Sequence, residues 1–307
     1  MRTSSTASRR LLAPPLLALL FAVAAAAPAQ AAEPVALTHV HGLSYSADGA
    51  RLMIPNHHGL AIYENGRWSK GAGPAHDYMG FAATRDALYS SGHPEPGADL
   101  PNPFGLIRSS DSGKTWRKLG LEGQADFHML AASYGTNAVY VLSHEPNARM
   151  KQAGIYQPPH DGMKWTHGAA AGLEGEVKTL AVHPIDPKIV AAGTAGGLYL
   201  SRDSAERFER LVGGRQVLAA TFDLDGRHPW FSVYADRPAL LRVALDAGAQ
   251  PATLPLPSLT EDAVAYIAQN PVRHDEIAIA TFKRSVYVSQ DQGQHWKQIA
   301  QNGAVQP

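Results

Sequence analysis

An eight-residue pattern returns at a nearly fixed interval along this chain. Ser109-Ser110-Asp111-Ser112-Gly113-Lys114-Thr115-Trp116 reads S-x-D-x-G-x-T-W, and residues 289–296 repeat it with His295 in the threonine's place. Residues 201–208 form a third copy that closes on Phe208, and degenerate copies close on Trp68 and Trp165. The closing aromatics are separated by 48, 49, 43 and 88 residues, and the last gap is two units of 44. The missing unit should close near residue 252, where Ala239-Leu240-Leu241-Arg242-Val243 supplies a strand-like run without the motif. A period of this length is the signature of a repeat architecture.

Within a unit the chain runs as four short apolar segments, EVKTLAVH, KIVAAGT, GLYLSRD and RFERLV in the fourth copy. Short strands at even spacing with one aromatic per repeat predict an all-β, six-bladed β-propeller of four-stranded antiparallel blades. Asp111, Gly113, Asp203, Asp291 and Gly293 are expected to build tight turns between third and fourth strands. Trp116, Phe208 and Trp296 should pack beneath those turns. The motif is thus a folding device and marks no chemistry.

The repeats begin after a leader. Arg2, Arg9 and Arg10 precede an apolar run from Leu11 to Ala27, and Ala29-Gln30-Ala31 is a small-x-small cleavage site. Residues 1–31 read as a signal peptide, and Ser8-Arg9-Arg10-Leu11-Leu12 resembles a twin-arginine form of it. Residues 32–307 then form a single propeller domain that is expected to work in the periplasm or outside the cell. No later run is long and apolar enough to span a bilayer. Removing the leader leaves 24 basic and 27 acidic residues, without the basic excess that a nucleic-acid binder needs. The 307 residues include no cysteine, which removes disulfides, thiolate metal sites and cysteine nucleophiles together. Fourteen histidines make imidazole the main candidate ligand.

With its S-x-D-x-G-x-T-W copies the chain resembles the BNR or Asp-box propellers, whose fold is shared by sialidases, the sortilin-type Vps10 domain and a photosystem II assembly factor. The segments HVHGL, NHHGL, HDYMGF, YSSGHP and DFHML resemble a set of exported bacterial proteins labelled glycosylhydrolase. The resemblance implies the fold over the whole mature chain; the activity belongs to individual sites.

Aligning the six units with one another groups the histidines. One column of the innermost strand reads His41, Met79, His128, Lys178, Val217, Ala265, and two residues earlier stand His39, Asp77, Asp126, Glu176, Arg215, Ala263. At the end of the second strand stand His57, His93, His144, Thr194, Ala235, Phe282, with His58 and His76 adjacent to this set. Period-2 alternation and up-and-down strand order should bring all three columns to one face over blades one to three. The long loops after His93 and His144 would wall a pocket there. His160, His167, His183, His228, His274 and His295 fall elsewhere and read as structural.

Imidazoles with carboxylates and a thioether make a metal site the leading expectation, with His39, His41, His57, His58, His76, His93, His128, His144, Asp77, Asp126 and Met79 as candidate ligands. Methionine in the set favours copper, and carboxylate favours zinc. The arrangement is similar in kind to the histidine-lined propeller face of nitrous oxide reductase. Two rival readings accompany it. A glycosidase of sialidase type would need an arginine triad and an Arg-Ile-Pro stretch. Arg51-Leu52-Met53-Ile54-Pro55 displaces that arginine by two residues, to the opposite face. A two-carboxylate glycosidase could use Asp77, Asp126, Glu176 or Glu261. A scaffold docking a protein partner on the same face is the third.

Overall fold

A computed structural model describes residues 35–158, 165–246 and 248–305. The expected leader and His160 lie outside them. Six antiparallel sheets follow one another along the chain. Blade 1 comprises β1 (Ser44–Tyr45), β2 (Arg51–Asn56), β3 (Gly59–Glu64) and β4 (Arg67–Lys70). Blade 2 comprises β5 (Asp77–Ala83), β6 (Leu88–His93), β7 (Leu106–Ser109) and β8 (Arg117–Gly120). Blade 3 is built from β9 (Leu130–Ala132), β10 (Val139–Ser143), β11 (Gly154–Gln157) and β12 (Thr166–His167). Blade 4 follows with β13 (Val177–Val182), β14 (Val190–Thr194), β15 (Gly197–Ser201) and β16 (Glu209–Gly213). Blade 5 has β17 (Gln216–Phe222), β18 (Pro229–Tyr234), β19 (Pro238–Arg242) and β20 (Ala252–Leu254), the last where the motif-free unit was expected to close. Blade 6 has β21 (Val264–Gln269), β22 (Ile277–Thr281), β23 (Val286–Ser289), β24 (Lys297–Gln301) and a fifth strand, β25 (Ala304–Val305). The protein is a six-bladed β-propeller, and the described residues contain no helix.

Strand alternation explains why the blades form a ring. Along β2, Leu52 and Ile54 join a buried cluster with blade 6, whereas Met53 joins one with blade 2. Along β10, Val139 and Val141 pack towards blade 2, and Tyr140 and Leu142 pack towards blade 4. Each of the six apolar clusters lies between two adjacent blades. Both faces of every blade are thereby covered. Closure from last blade to first uses an antiparallel bridge between Ala36 and Ala304 and the bond from Leu37 N to Gly303 O at 2.9 Å. The Trp68 indole adds a hydrogen bond to the Ile299 carbonyl at 3.1 Å.

The motif turns sit between third and fourth strands. Ser109 donates to Asp111 Oδ1 (2.7 Å) and accepts from Gly113 N (2.8 Å), while Asp111 accepts from Thr115 N (2.9 Å) and Thr115 Oγ1 (2.6 Å). In blade 4 Ser201 and Asp203 make the same contacts to Ala205 N and Arg207 N. In blade 6 His295 Nδ1 reaches Asp291 Oδ2 at 2.6 Å, so an imidazole stands in for the missing threonine hydroxyl. Phe208 is buried beneath its turn, and Trp116 and Trp296 pack against the clusters of their blades.

Ser109 is 1% exposed and serves a buried amide, so Ser109→Ala should lower unfolding stability by about 1–3 kcal/mol. Ser110→Ala, one residue away and exposed, should change it by less than about 0.5 kcal/mol. Urea titration of the two variants checks the difference.

Candidate metal centre

The two columns of the innermost strand are not regular strand in every blade. In blades 1 and 3, His39, His41, Asp126 and His128 lie just ahead of β1 and β9, in extended chain held by single bonds such as His41 N to Pro55 O at 3.1 Å. In blades 2, 4, 5 and 6 the ladder between first and second strands slips at this level, leaving Gly80, Lys178, Leu218 and Ala265 unpaired. A bulge adds one residue and breaks two-residue alternation. Gly80, rather than Met79, therefore lines the axial cavity, and Leu218 takes the place expected for Val217. Met79 is buried, away from the lining. At Gly80 φ is +47° and an added Cβ would meet the Phe127 carbonyl oxygen, so only glycine lets blade 3 approach so closely.

His39, His41 and His57 converge. Each offers one ring nitrogen, and the three atoms lie within 4.8 Å of one another. The His41 and His57 rings stack at 5.0 Å with an interplanar angle of 5°, and the His39 ring is tilted 4.4 Å from His57. His41 Nε2 and His57 Nε2 are buried without a hydrogen-bond partner. Asp77 Oδ1 stands 4.0 Å from His41 Nε2, beyond hydrogen-bond reach, and is likewise buried and unpartnered. Burial pushes His41 down to about 4, against the opposing pull of Asp77 and with help from His57, His39 and His128. At neutral pH His41 is a bare imidazole with its lone pair available.

A second group adjoins it. Asp126 Oδ2 contacts His128 Nε2 at 2.6 Å and His93 Nε2 at 3.1 Å, and His93 Nδ1 meets Asn102 Oδ1 at 2.6 Å. Burial opposes the charge on Asp126, but the hydrogen bonds and charges of His128 and His93 outweigh it and hold its carboxyl below the ordinary value. The hydrogen bond to Asp126 holds His128 above its ordinary value. The carboxylate of each following blade thus sits beside an imidazole of the blade before it, Asp77 beside His41 and Asp126 beside His93.

The other expected ligands are apart from these groups. His76 is 6% exposed, packs its ring tilted against Phe104 at 4.9 Å and accepts from Glu95 N, so it anchors the Pro-rich loop after β6. His58 is exposed, and its amide donates to Asn56 Oδ1 in the β2–β3 turn. His144 is exposed and lines the cavity. Two partners carried no sequence signal. Asn102 lies in a proline-rich loop, and Arg284 lies in a turn outside the histidine columns. A further triplet, Asp223, Asp225 and His228, brings ligand atoms within 4.8 Å on the opposite face. His228 N and Nδ1 both bond to Asp223 there and close the β17–β18 turn, the structural role expected of that histidine.

The sequence matches no family model and no curated relative. Solved structures share the fold. The GH74 enzyme of Niastella koreensis is 13% identical with a TM-score of 0.58, covering 87% of this chain and 46% of its own, so this chain spans about half its length. YCF48 from Cyanidioschyzon merolae is 14% identical with a TM-score of 0.51, covering 91% and 89%. A structure of YCF48 bound to D1 peptide is 16% identical with a TM-score of 0.50, covering 89% and 85%. At these identities the likeness is one of β-propeller fold.

The lowered His41 carries a pH signature. Its folded value of about 4 lies below the ordinary 6.5, so between these values the unfolded chain binds a proton that the folded chain refuses. This contribution to stability is intact above about pH 6.5 and is lost as pH falls towards 4. Urea midpoints of the metal-free protein should decline over that window, and His41→Gln should flatten the decline.

Proposed function

We propose that this protein is an exported propeller that binds one transition-metal ion through His39, His41 and His57, copper ahead of zinc. The observation that carries the reading is the pair of buried, unpartnered Nε2 atoms of His41 and His57 beside a third imidazole nitrogen within 4.8 Å. A buried polar atom without a partner is costly, and a metal ion would satisfy both. Nitrogens around one tetrahedral ion lie about 3.3 Å apart, for metal–nitrogen bonds of about 2 Å. Small side-chain rotations would close the observed spacing. Neutral imidazole is the ligand form, and burial keeps His41 in it at pH 7. Among divalent ions a nitrogen site prefers copper to zinc by the general affinity order. Asp77, unpartnered at 4.0 Å from His41, is suited to complete the shell or to hold a metal-bound water. Export rests on the sequence of residues 1–31 and on the cysteine-free composition.

The glycosidase reading has weaker support. Asp126 is held between two histidines, and Glu176 is paired with Lys178, whose hydrogen bond lowers its carboxyl. A general acid needs its carboxyl raised, the opposite direction. Glu261 is highly exposed and pairs with Lys283 at 3.6 Å. Arg51 starts β2 and reaches Ser112 of a motif turn, on the face opposite the histidines.

Elemental analysis of protein exported by its own host should find about one copper or zinc per chain. His41→Ala and His57→Ala should each weaken metal affinity about 100-fold or more, beyond the usual cost of an outer-shell change. His76→Ala should leave affinity unchanged. Absence of stoichiometric metal from the wild type, with no response to the two substitutions, would end the reading.

A further inference from the structure

The axial cavity occupies about 960 Å³, within the size range of small-molecule sites. Its lining is mixed, with Thr179, Tyr266 and Gln269 among the apolar side chains of Ala82, Leu218 and Ala220. Its charged lining has one sign: Lys178, Lys283 and Arg284 contribute, and no aspartate or glutamate does. In a chain with 27 basic and 27 acidic residues, that segregation is local. Lys178 pairs with Glu176 and Lys283 with Glu261, both partners outside the lining. Arg284 has no carboxylate partner among the described residues; its guanidinium donates to the Thr38 carbonyl at 2.9 Å, one residue from His39.

The turn that carries Arg284 is built to hold it. Arg284 has φ +66°, a left-handed conformation that a long side chain seldom adopts. The turn is closed by Arg284 N to Thr281 O (2.9 Å), Ser285 N to Thr281 Oγ1 (3.0 Å) and Gly303 N to Arg284 O (2.9 Å). Beside it Phe282 lines the cavity with 59% of its surface exposed, an apolar ring at the cationic mouth.

We propose that the cavity binds a small organic acid, its carboxylate held by Arg284 with Lys178 and its apolar body against Phe282 and Leu218. A guanidinium has five N–H donors in a fork that matches a carboxylate, and the Thr38 carbonyl engages only part of it. An apolar wall cannot choose between an acid and its amide, whereas an unpaired cation at the mouth does. The inference goes beyond the metal reading and stands without it, since neither the cationic lining nor the apolar contact with Phe282 and Leu218 involves a metal ion.

Calorimetric titration of the full chain tests it, with benzoate and hexanoate as probes, benzamide and hexanamide as neutral counterparts, and inorganic phosphate as an anion without an apolar body. The protein is stripped of metal on a chelating resin and, in parallel, loaded with copper. Metal-stripped protein should bind at least one of the acids with one-to-one saturation, its amide at least tenfold more weakly, and phosphate more weakly than the acid. Arg284→Gln should lose tenfold or more in acid affinity while keeping the wild-type metal stoichiometry. Lys178→Gln, which leaves the Thr38 contact intact, should lose severalfold and serves if Arg284→Gln fails to fold. The proposal is overturned if no acid saturates the wild type, if amide and acid bind alike, or if both variants bind as the wild type does. It is equally overturned if the acid binds only copper-loaded protein and Arg284→Gln leaves that unchanged, because the acid is then a ligand of the metal. Acid binding without stoichiometric metal would remove the metal reading alone, and metal without acid binding would remove this one alone.

Discussion

Burial of both faces of every blade by its neighbours is the constraint on which the rest depends. A four-stranded sheet left alone would expose two apolar faces, and alternation along strands such as β2 and β10 sends successive side chains to opposite neighbours. Only a closed ring gives each face a partner. That is why Ala36 and Leu37 return to meet Gly303 and Ala304, and why the Trp68 indole reaches from blade 1 to the Ile299 carbonyl of blade 6. The closing contacts also set the chain's path into the histidine face. Thr38, whose carbonyl accepts from Arg284, is followed at once by His39.

Closure brings the innermost strands around one axis and gives neighbouring blades side chains that face each other across the seam. The chemistry of the candidate site lies in those seams. Asp77 of blade 2 stands by His41 of blade 1, and Asp126 of blade 3 bonds His93 of blade 2. The outcomes differ because of distance and burial. At 2.6 and 3.1 Å Asp126 Oδ2 is bonded to two imidazoles and favours charge on His128. At 4.0 Å Asp77 is too far to offset the burial of His41, which stays neutral. One arrangement repeated on two seams thus yields a charged, hydrogen-bonded group and a neutral, unsatisfied one. Only the second leaves buried imidazole nitrogens without partners.

The fold was legible because its signals are local and repeated. Ser, Asp and Gly at fixed offsets close a turn wherever they occur, and even the exception obeys the rule, since His295 supplies through Nδ1 the contact that Thr115 makes through its hydroxyl. The convergence of His39, His41 and His57 was legible for the same reason, as columns of the repeat. What the columns hid was the bulge. One unpaired residue at Gly80, Lys178, Leu218 or Ala265 turns the alternation over, so Met79 is buried and drops out of the lining, and Leu218 replaces Val217. His76 was misplaced for another reason. Its neighbours Ala75 and Asp77 give no sign of burial, and only the return of the long loop through Phe104 and Glu95 buries it. Asn102 and Arg284 acquire their positions from loop and turn geometry that no period encodes.

The ring is symmetric in backbone and asymmetric in chemistry. Blades 1 and 3 present His39, His41, His128 and His144 to the cavity, and blades 4 and 6 present Lys178, Lys283 and Arg284 to it. Two imidazole nitrogens of the first half lack partners, and the guanidinium of the second half lacks a carboxylate. Those deficits are complementary: a cation would satisfy the first and an anion the second, and the two positions are joined through Thr38 and His39. A propeller needs only packing between its blades to fold, and the serine and aspartate side chains of the motif turns at its opposite face are hydrogen-bonded. Buried polar atoms without partners occur at both ends, the Trp116 and Trp165 indoles among them, but among the described residues only the histidine end brings such imidazole and carboxylate atoms together, those of His41, His57, Asp77 and Asp126. A bound cation would lower the free energy of those atoms, which is why the proposed metal site is placed at that end.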